Sequence, residues 1–203
     1  MKKLDLRLLR TALILALIVS VLVSSVSFEA SCKELKENVL RLHILANSNS
    51  EADQALKLKV RDAVLKVSSE KLENTNNINE AIAVADGYIE EYLEAAKKVI
   101  EENGYSYNVT AEIKKTYFST RVYDDFTLPA GEYEALQIII GEGKGKNWWC
   151  VMYPAVCLSS AARLDNAVSD SAAAVAESPA RFKIGFKTVE IIESIKNFFK
   201  NRK

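Results

Sequence analysis

The chain has 203 residues, 49% of them apolar and 27% charged, with 27 basic residues balanced by 27 acidic ones. That length suits one ordinary domain with accessory segments, and the composition excludes wholesale disorder. A net charge of zero argues against a nucleic-acid binder that works through a dominant basic field.

The N-terminus addresses the chain to export. Lys2, Lys3, Arg7 and Arg10 precede an apolar run from Thr11 to Val26, and Ser24, Ser25 and Ser27 make a small-residue exit. Residues 1–30 therefore read as a secretory signal peptide with its best cleavage site at Ser25-Val26-Ser27, or as a membrane anchor if they are retained. Glu29-Ala30-Ser31 before Cys32 is a poor match to a lipoprotein box.

Val39 to Ala46 alternates, with Leu40, Leu42, Ile44 and Ala46 on one side and Arg41 and His43 on the other, which predicts a half-buried strand. The polar cluster Asn47-Ser48-Asn49-Ser50 then starts a helix, through Ser48 with Glu51 or Ser50 with Asp53, that runs to about Leu72. After a polar break, Asn77 with Glu80 caps a second long helix. Its apolar stripe extends from Ile78 to Ile100, and Gly104 closes it.

Tyr105 to Tyr117 alternates as a long amphipathic strand. Pro129 and Gly131 make a turn, Leu136 to Ile140 reads as a strand, three glycines at 141, 143 and 145 break it, and Trp148 to Tyr153 is apolar again. Strand, glycine loop, strand predicts a hairpin. The order of elements gives an α+β domain over residues 31–158. We expect a mostly antiparallel meander sheet of four to five strands, with two long helices packed on one face. Residues 159–180 are Ser- and Ala-rich and read as a flexible linker or weak helix. In 181–203, Phe182, Ile184 and Phe186 alternate as in a short strand, before a basic amphipathic helix that faces either an anionic membrane or the domain itself.

Export changes the meaning of the cysteines. Cys150 and Cys157 flank Pro154, and in a non-reducing compartment they are a plausible disulfide; two buried free thiols are the alternative. His43 is the single histidine, which argues against zinc. The glycine loop ends Gly145-Lys146-Asn147, so it fails the P-loop pattern, and Lys146 stands where a dinucleotide fold needs its third glycine. No cofactor or small-molecule substrate is implied. Lys144 and Lys146 are then exposed loop lysines or charge contacts to a partner. Trp148 and Trp149, being adjacent in a strand, face opposite sides, so one fills the core and the other is covered or anchors an interface. An enzyme reading would make His43 a general base near Arg41 and Asn47, oriented by Asp53 or Asp62, yet no nucleophile signature accompanies it. The plainer reading is a hydrogen-bonded pair at a strand surface.

Two blocks, RLHILANSNSEADQALKLKVRDAV (Arg41–Val64) and LPAGEYEALQIIIGEGKGKNWWCVMYPAVC (Leu128–Cys157), resemble the stage II sporulation protein R family. The resemblance implies an intercellular sporulation signal, made in the forespore and exported into the space between two membranes. There it would activate a membrane-bound aspartic protease of the mother cell that processes a sigma-factor precursor. Such a protein is an activating ligand and not a catalyst. By analogy and expected exposure, Arg41, His43, Asn47, Lys144, Lys146 and one of the tryptophans would touch the partner. A secreted hydrolase built on His43 and a structural envelope protein are the rival readings.

Overall fold

A computed structural model of the chain describes residues 6–123, 126–154, 167–178 and 182–200. Among the described residues, helices and strands follow in the order α1 (Leu6–Glu37), β1 (Leu40–Leu45), α2 (Glu51–Leu72), α3 (Ile78–Gly87), α4 (Ile89–Glu102), β2 (Val109–Phe118), β3 (Arg121–Val122), β4 (Thr127–Leu128), β5 (Gly131–Ile140), β6 (Asn147–Tyr153), α5 (Asp170–Glu177) and α6 (Lys183–Lys200). The α+β class is as the sequence indicates.

Local signals place the helix ends where the side chains predict. Ser50 caps α2 by accepting from the Asp53 amide at 3.1 Å. Asn77 caps α3 from the Glu80 amide at 3.0 Å, and the Glu80 carboxylate returns to the Asn76 amide at 2.9 Å. Gly104, at φ +80, turns the chain after α4, and the Tyr105 amide reaches back to the Ile100 carbonyl at 3.1 Å. One expectation changes: the second long helix is two. Gly87 and Tyr88 interrupt it, with Tyr88 at φ −110 and ψ 20, because glycine stabilises the helix poorly just where the stripe must turn.

The main sheet has the order β2-β5-β1-β6, with a separate β3-β4 ribbon. β2 pairs antiparallel with β5 from Val109↔Ile140 to Phe118↔Gly131, and β6 pairs antiparallel with β1. Between them β1 and β5 run parallel, Arg41 opposite Ala135 and Leu45 opposite Ile139. The predicted meander and hairpin are therefore not formed: β1 occupies the place between β5 and β6. The sequence pattern of strand, glycines, strand is the same in both cases; what differs is the gap to be bridged, two strand spacings instead of one, or about 10 Å.

The strand pattern of β1 also misleads about its faces. Leu40, Leu42 and Ile44 pack with Leu136, Ile138 and Ile140 under α2, α3 and α4, as alternation predicts. The opposite face is covered too. Cys32 and Leu35 of α1, Val175 and Ala176 of α5, Leu128 of β4 and Phe118 of β2 close a second core over Arg41 and His43, which are 0% and 5% exposed. A strand buried on both faces at the centre of a mixed sheet replaces the half-buried strand.

The tail is likewise more ordered than its composition suggests. Residues 170–177, expected in a flexible linker or weak helix, form the helix α5, with Ala172, Ala173, Val175 and Ala176 buried against α1. Lys183 to Phe186 belong to α6, and the short strand expected there is absent; Phe182 and Phe186 both pack on Phe28 of α1. Small side chains let α5 approach α1 closely, which alternation rules do not register. Residues 155–166, including Cys157, lie outside the described residues.

The connection from β5 to β6 yields a test. Gly145 has no room for a side chain, since a Cβ there would stand 2.2 Å from the Ser48 carbonyl oxygen. Gly145→Ala is expected to lower stability by about 1–3 kcal/mol, read as a lower urea midpoint. Gly87→Ala, whose Cβ would meet nothing within 4 Å, should raise it by about 0.5–1 kcal/mol.

Candidate functional site

The two sequence blocks meet at one end of the sheet. Because β5 and β1 are parallel, both leave the sheet at the same edge, and the 141–146 loop passes over the chain emerging from β1. The loop is sewn to that chain by four hydrogen bonds. The Gly145 amide donates to the Ala46 carbonyl at 2.8 Å and the Lys144 amide to the Asn47 carbonyl at 3.2 Å. The Glu142 amide donates to Asn47 Oδ1 and the Lys146 amide to Asn49 Oδ1, at 3.0 and 2.9 Å. Gly141 and Gly143 take φ values of +58 and +62, and a Cβ on Gly141 would lie 2.3 Å from Asn47 Oδ1. The glycines are needed for left-handed backbone and for close approach at once.

Helix α2 anchors the same junction. Asp53 is buried and accepts from Ser48 Oγ at 2.6 Å and Asn47 Nδ2 at 3.0 Å. The Ser48 hydroxyl, helped by Asn47, Tyr107 and Ser50, holds the Asp53 carboxyl below its usual range against the opposing effect of burial. Lys57 reaches from α2 to the Lys146 carbonyl at 2.9 Å and to Gln54 Oε1 at 2.7 Å, and burial lowers its pKa. Asn47 therefore acts as a two-sided bracket, joining α2 to the glycine loop. What this clasp displays outward is Glu142, Lys144, Lys146 and Asn147, all exposed, with Lys144 and Glu142 paired at 2.8 Å.

Arg41 and His43 lie elsewhere, inside the second core. The Arg41 guanidinium sits 4.1 Å from the Phe118 ring centre and 4.9 Å from that of Tyr133. It donates to the Tyr123 hydroxyl and, at 3.4 Å, to the Cys150 carbonyl, while Nη1 has no hydrogen-bond partner among the described residues. Burial lowers its pKa, opposed by the electron-rich oxygens of Tyr123 and Tyr133. The His43 ring stacks on Trp149 at 3.9 Å, and Gln137 Nε2 lies 2.8 Å from Nδ1. With the amide donating there, the neutral ring carries its proton on Nε2. Burial pushes the His43 pKa down to about 4; Lys114 and Arg41 add repulsion, and Asn147 acts the other way.

The expectation that His43 and Arg41 face a partner is thus corrected: the packing of α1, α5 and the β3-β4 ribbon hides both. The carboxylates suggested to orient His43 do not reach it. Asp53 belongs to the clasp, and Asp62 pairs with Arg61 at 2.6 Å on α2. The tryptophans divide as their adjacency requires. Trp148 packs on the first core, with Arg61 4.4 Å from its ring centre. Trp149 lies between His43 and Arg121, whose guanidinium is 5.5 Å away. Both are half-buried. Among the described residues, no three His, Cys, Asp or Glu side chains come together as a metal site would need. Cys150 is buried, and Cys32 is a buried free thiol whose pKa burial pushes up to about 12.

Sequence reasoning found both motifs but missed their contact. The signal lay in their matching polar rhythm, asparagines at 47 and 49 and glycines at 141, 143 and 145, which only a bridged parallel pair brings together. Helix α1 supplies the remaining feature. It is long and apolar enough to cross a membrane, and residues 8–27 are exposed.

Fold and site together define an α+β domain carried on an apolar N-terminal helix, its glycine loop locked across the central strand. The family model for stage II sporulation protein R matches residues 36–163, and the chain belongs to that family. Stage II sporulation protein R of Bacillus subtilis (strain 168) is 39% identical over 123 residues, which cover 61% of this chain and 55% of that protein. The chain thus spans about half the length of this curated relative. No solved structure matches.

His43 provides a pH test. The folded state favours the neutral ring, so as pH falls the unfolded chain takes up its proton first. The histidine's contribution is fully present above pH 6.5 and is lost as pH falls toward 4. Urea unfolding should show a loss of about 3 kcal/mol across that window, and His43→Gln should flatten it.

Proposed function

We propose that this chain is an exported sporulation signal that activates a membrane-bound aspartic protease, which then processes a sigma-factor precursor. The observation that carries this reading is the family match over residues 36–163. The apolar helix preceding that segment supports it, because it suits either an export signal or an anchor. On this reading the protein is made in the forespore and acts between the two membranes. It acts as a ligand, without turning over a substrate of its own.

The contact surface best suited to that role is the clasp end, where Lys144 and Lys146 stand exposed on a loop held at both sides. A pre-ordered loop loses little entropy on docking, and its lysines favour an acidic patch on the partner. Arg41 and His43 lie apart from this surface in the second core, and Asn47 fixes the loop. A bridge between Cys150 and Cys157 would hold the end of β6 in the non-reducing compartment.

Co-expression in a non-sporulating host, with a candidate protease and its sigma-factor precursor, tests the proposal. Processing should depend on this chain. Lys144→Glu with Lys146→Glu should reduce it roughly tenfold or more while leaving the urea midpoint unchanged. Processing that proceeds equally without the chain would sink the assignment.

A further inference from the structure

Helix α6 is amphipathic the wrong way round for a helix that merely completes a core. Its inward side carries Phe186 and Val189 together with Glu193, which meets Lys36 of α1 at 3.2 Å. Its outward side carries Ile184, Ile191, Ile192, Ile195 and Phe199, of which Ile184 is 84% and Phe199 63% exposed. At 3.6 residues per turn those five side chains fall within an arc of roughly 100°. Lys183 and Lys187 border the arc on one side, Lys196 and Lys200 on the other. The acids of the helix, Glu190 and Glu193, lie on the far side, half-buried toward the body, where they pair with Lys187 and Lys196 at 3.0 and 3.2 Å. Lys200 pairs with Glu132 of β5, and all three lysines stay mostly exposed. Residues 181–203 hold seven basic residues against these two acids. Helix α6 also lies outside the residues that match the family.

We infer that α6 docks the domain on an anionic membrane surface, its isoleucines and Phe199 entering the headgroup boundary and its lysines meeting lipid phosphates. Two features favour lipid over protein. An apolar stripe bordered by lysine on both edges, with no acid in the exposed half, matches the charge of an anionic leaflet. The same pattern opposes a second copy, because pairing two α6 stripes would bring lysine rows together. Position agrees: α6 starts against Phe28, whose ring stacks on Phe182 at 5.5 Å, just where the exposed apolar part of α1 ends.

The packing adds a geometric consequence. Phe28 meets Phe186 and Lys36 meets Glu193, so α6 runs alongside the last turns of α1 in the same direction. When α6 lies flat on a bilayer, those turns lie flat as well. The helix is continuous through Ser24–Ser27, so its apolar part would then run along the surface, bend there or be cut. Residues 8–27 contribute to neither core, so each outcome leaves the domain intact.

The test follows amide hydrogen exchange of the full-length chain in vesicles, read separately for residues 183–200 and for β1 and β5. Vesicles of phosphatidylcholine alone are compared with vesicles containing about a third phosphatidylglycerol. Exchange across 183–200 should slow roughly tenfold on the anionic vesicles, with the strands unchanged. Ile191→Asp with Ile195→Asp, both exposed positions away from the cores, should abolish the slowing and leave the strands alone. Equal exchange on the two vesicle types overturns the inference. So does protection of 183–200 in detergent with a dimeric mass, which would assign the stripe to a second copy. Neither outcome depends on protease activation, so failure here leaves the signalling role to its own assay.

Discussion

The parallel pairing of β1 with β5 is the constraint on which the rest depends. An early strand lies between two strands that are close neighbours in sequence, so the chain from β5 to β6 must cross the exit of β1. Crossing backbone over backbone leaves no room for side chains and offers polar groups that need partners. Glycines at 141, 143 and 145 meet the first demand, and the side chains of Asn47 and Asn49 meet the second. Asp53 then ties the arrangement to α2, which links the loop to the element that covers the first core.

The second face of β1 poses a different problem. Burying a guanidinium without a carboxylate is costly, and no acid among the described residues pairs with Arg41. The described groups around it are aromatic faces and oxygens: Phe118 and Tyr133 by their rings, Tyr123 by its hydroxyl, Cys150 by its carbonyl. Next along the strand, His43 is kept neutral between Gln137 and Trp149. A polar, aromatic stratum of this kind is directional, and it fixes the β3-β4 ribbon and the end of β2 over the sheet more specifically than aliphatic contact would. The chemically conspicuous residues of β1 thus end in the interior, while plain loop lysines occupy the surface.

The molecule is layered from a membrane-compatible helix outward. Residues 8–27 of α1 stand clear of the domain, while Cys32 and Leu35 of the same helix help to close the second core. Helices α5 and α6 fasten to those last turns, so the N-terminal and C-terminal segments form one module on the face away from α2–α4. The loop clasp lies at a sheet end and α6 lies on that module, so the surface proposed for a partner and the surface proposed for lipid are separate.

Sequence alone determined the elements whose causes are local. Caps at Ser50 and Asn77, the Gly104 stop, the alternation of β2 and the apolar N-terminal helix all follow from a few neighbouring residues and their backbone preferences. The family likeness was legible for the same reason, since it rests on contiguous blocks. Strand order, the covering of Arg41 and His43, the docking of α5 and the outward apolar face of α6 were decided only by tertiary structure. Alternation marks two faces of a strand but not what covers each. A strand–glycine–strand pattern likewise reads the same whether its strands are neighbours or stand on either side of a third. Those outcomes depend on segments from some 90 to some 160 residues apart in sequence, whose meeting is settled by how burial and backbone pairing are satisfied over the whole chain.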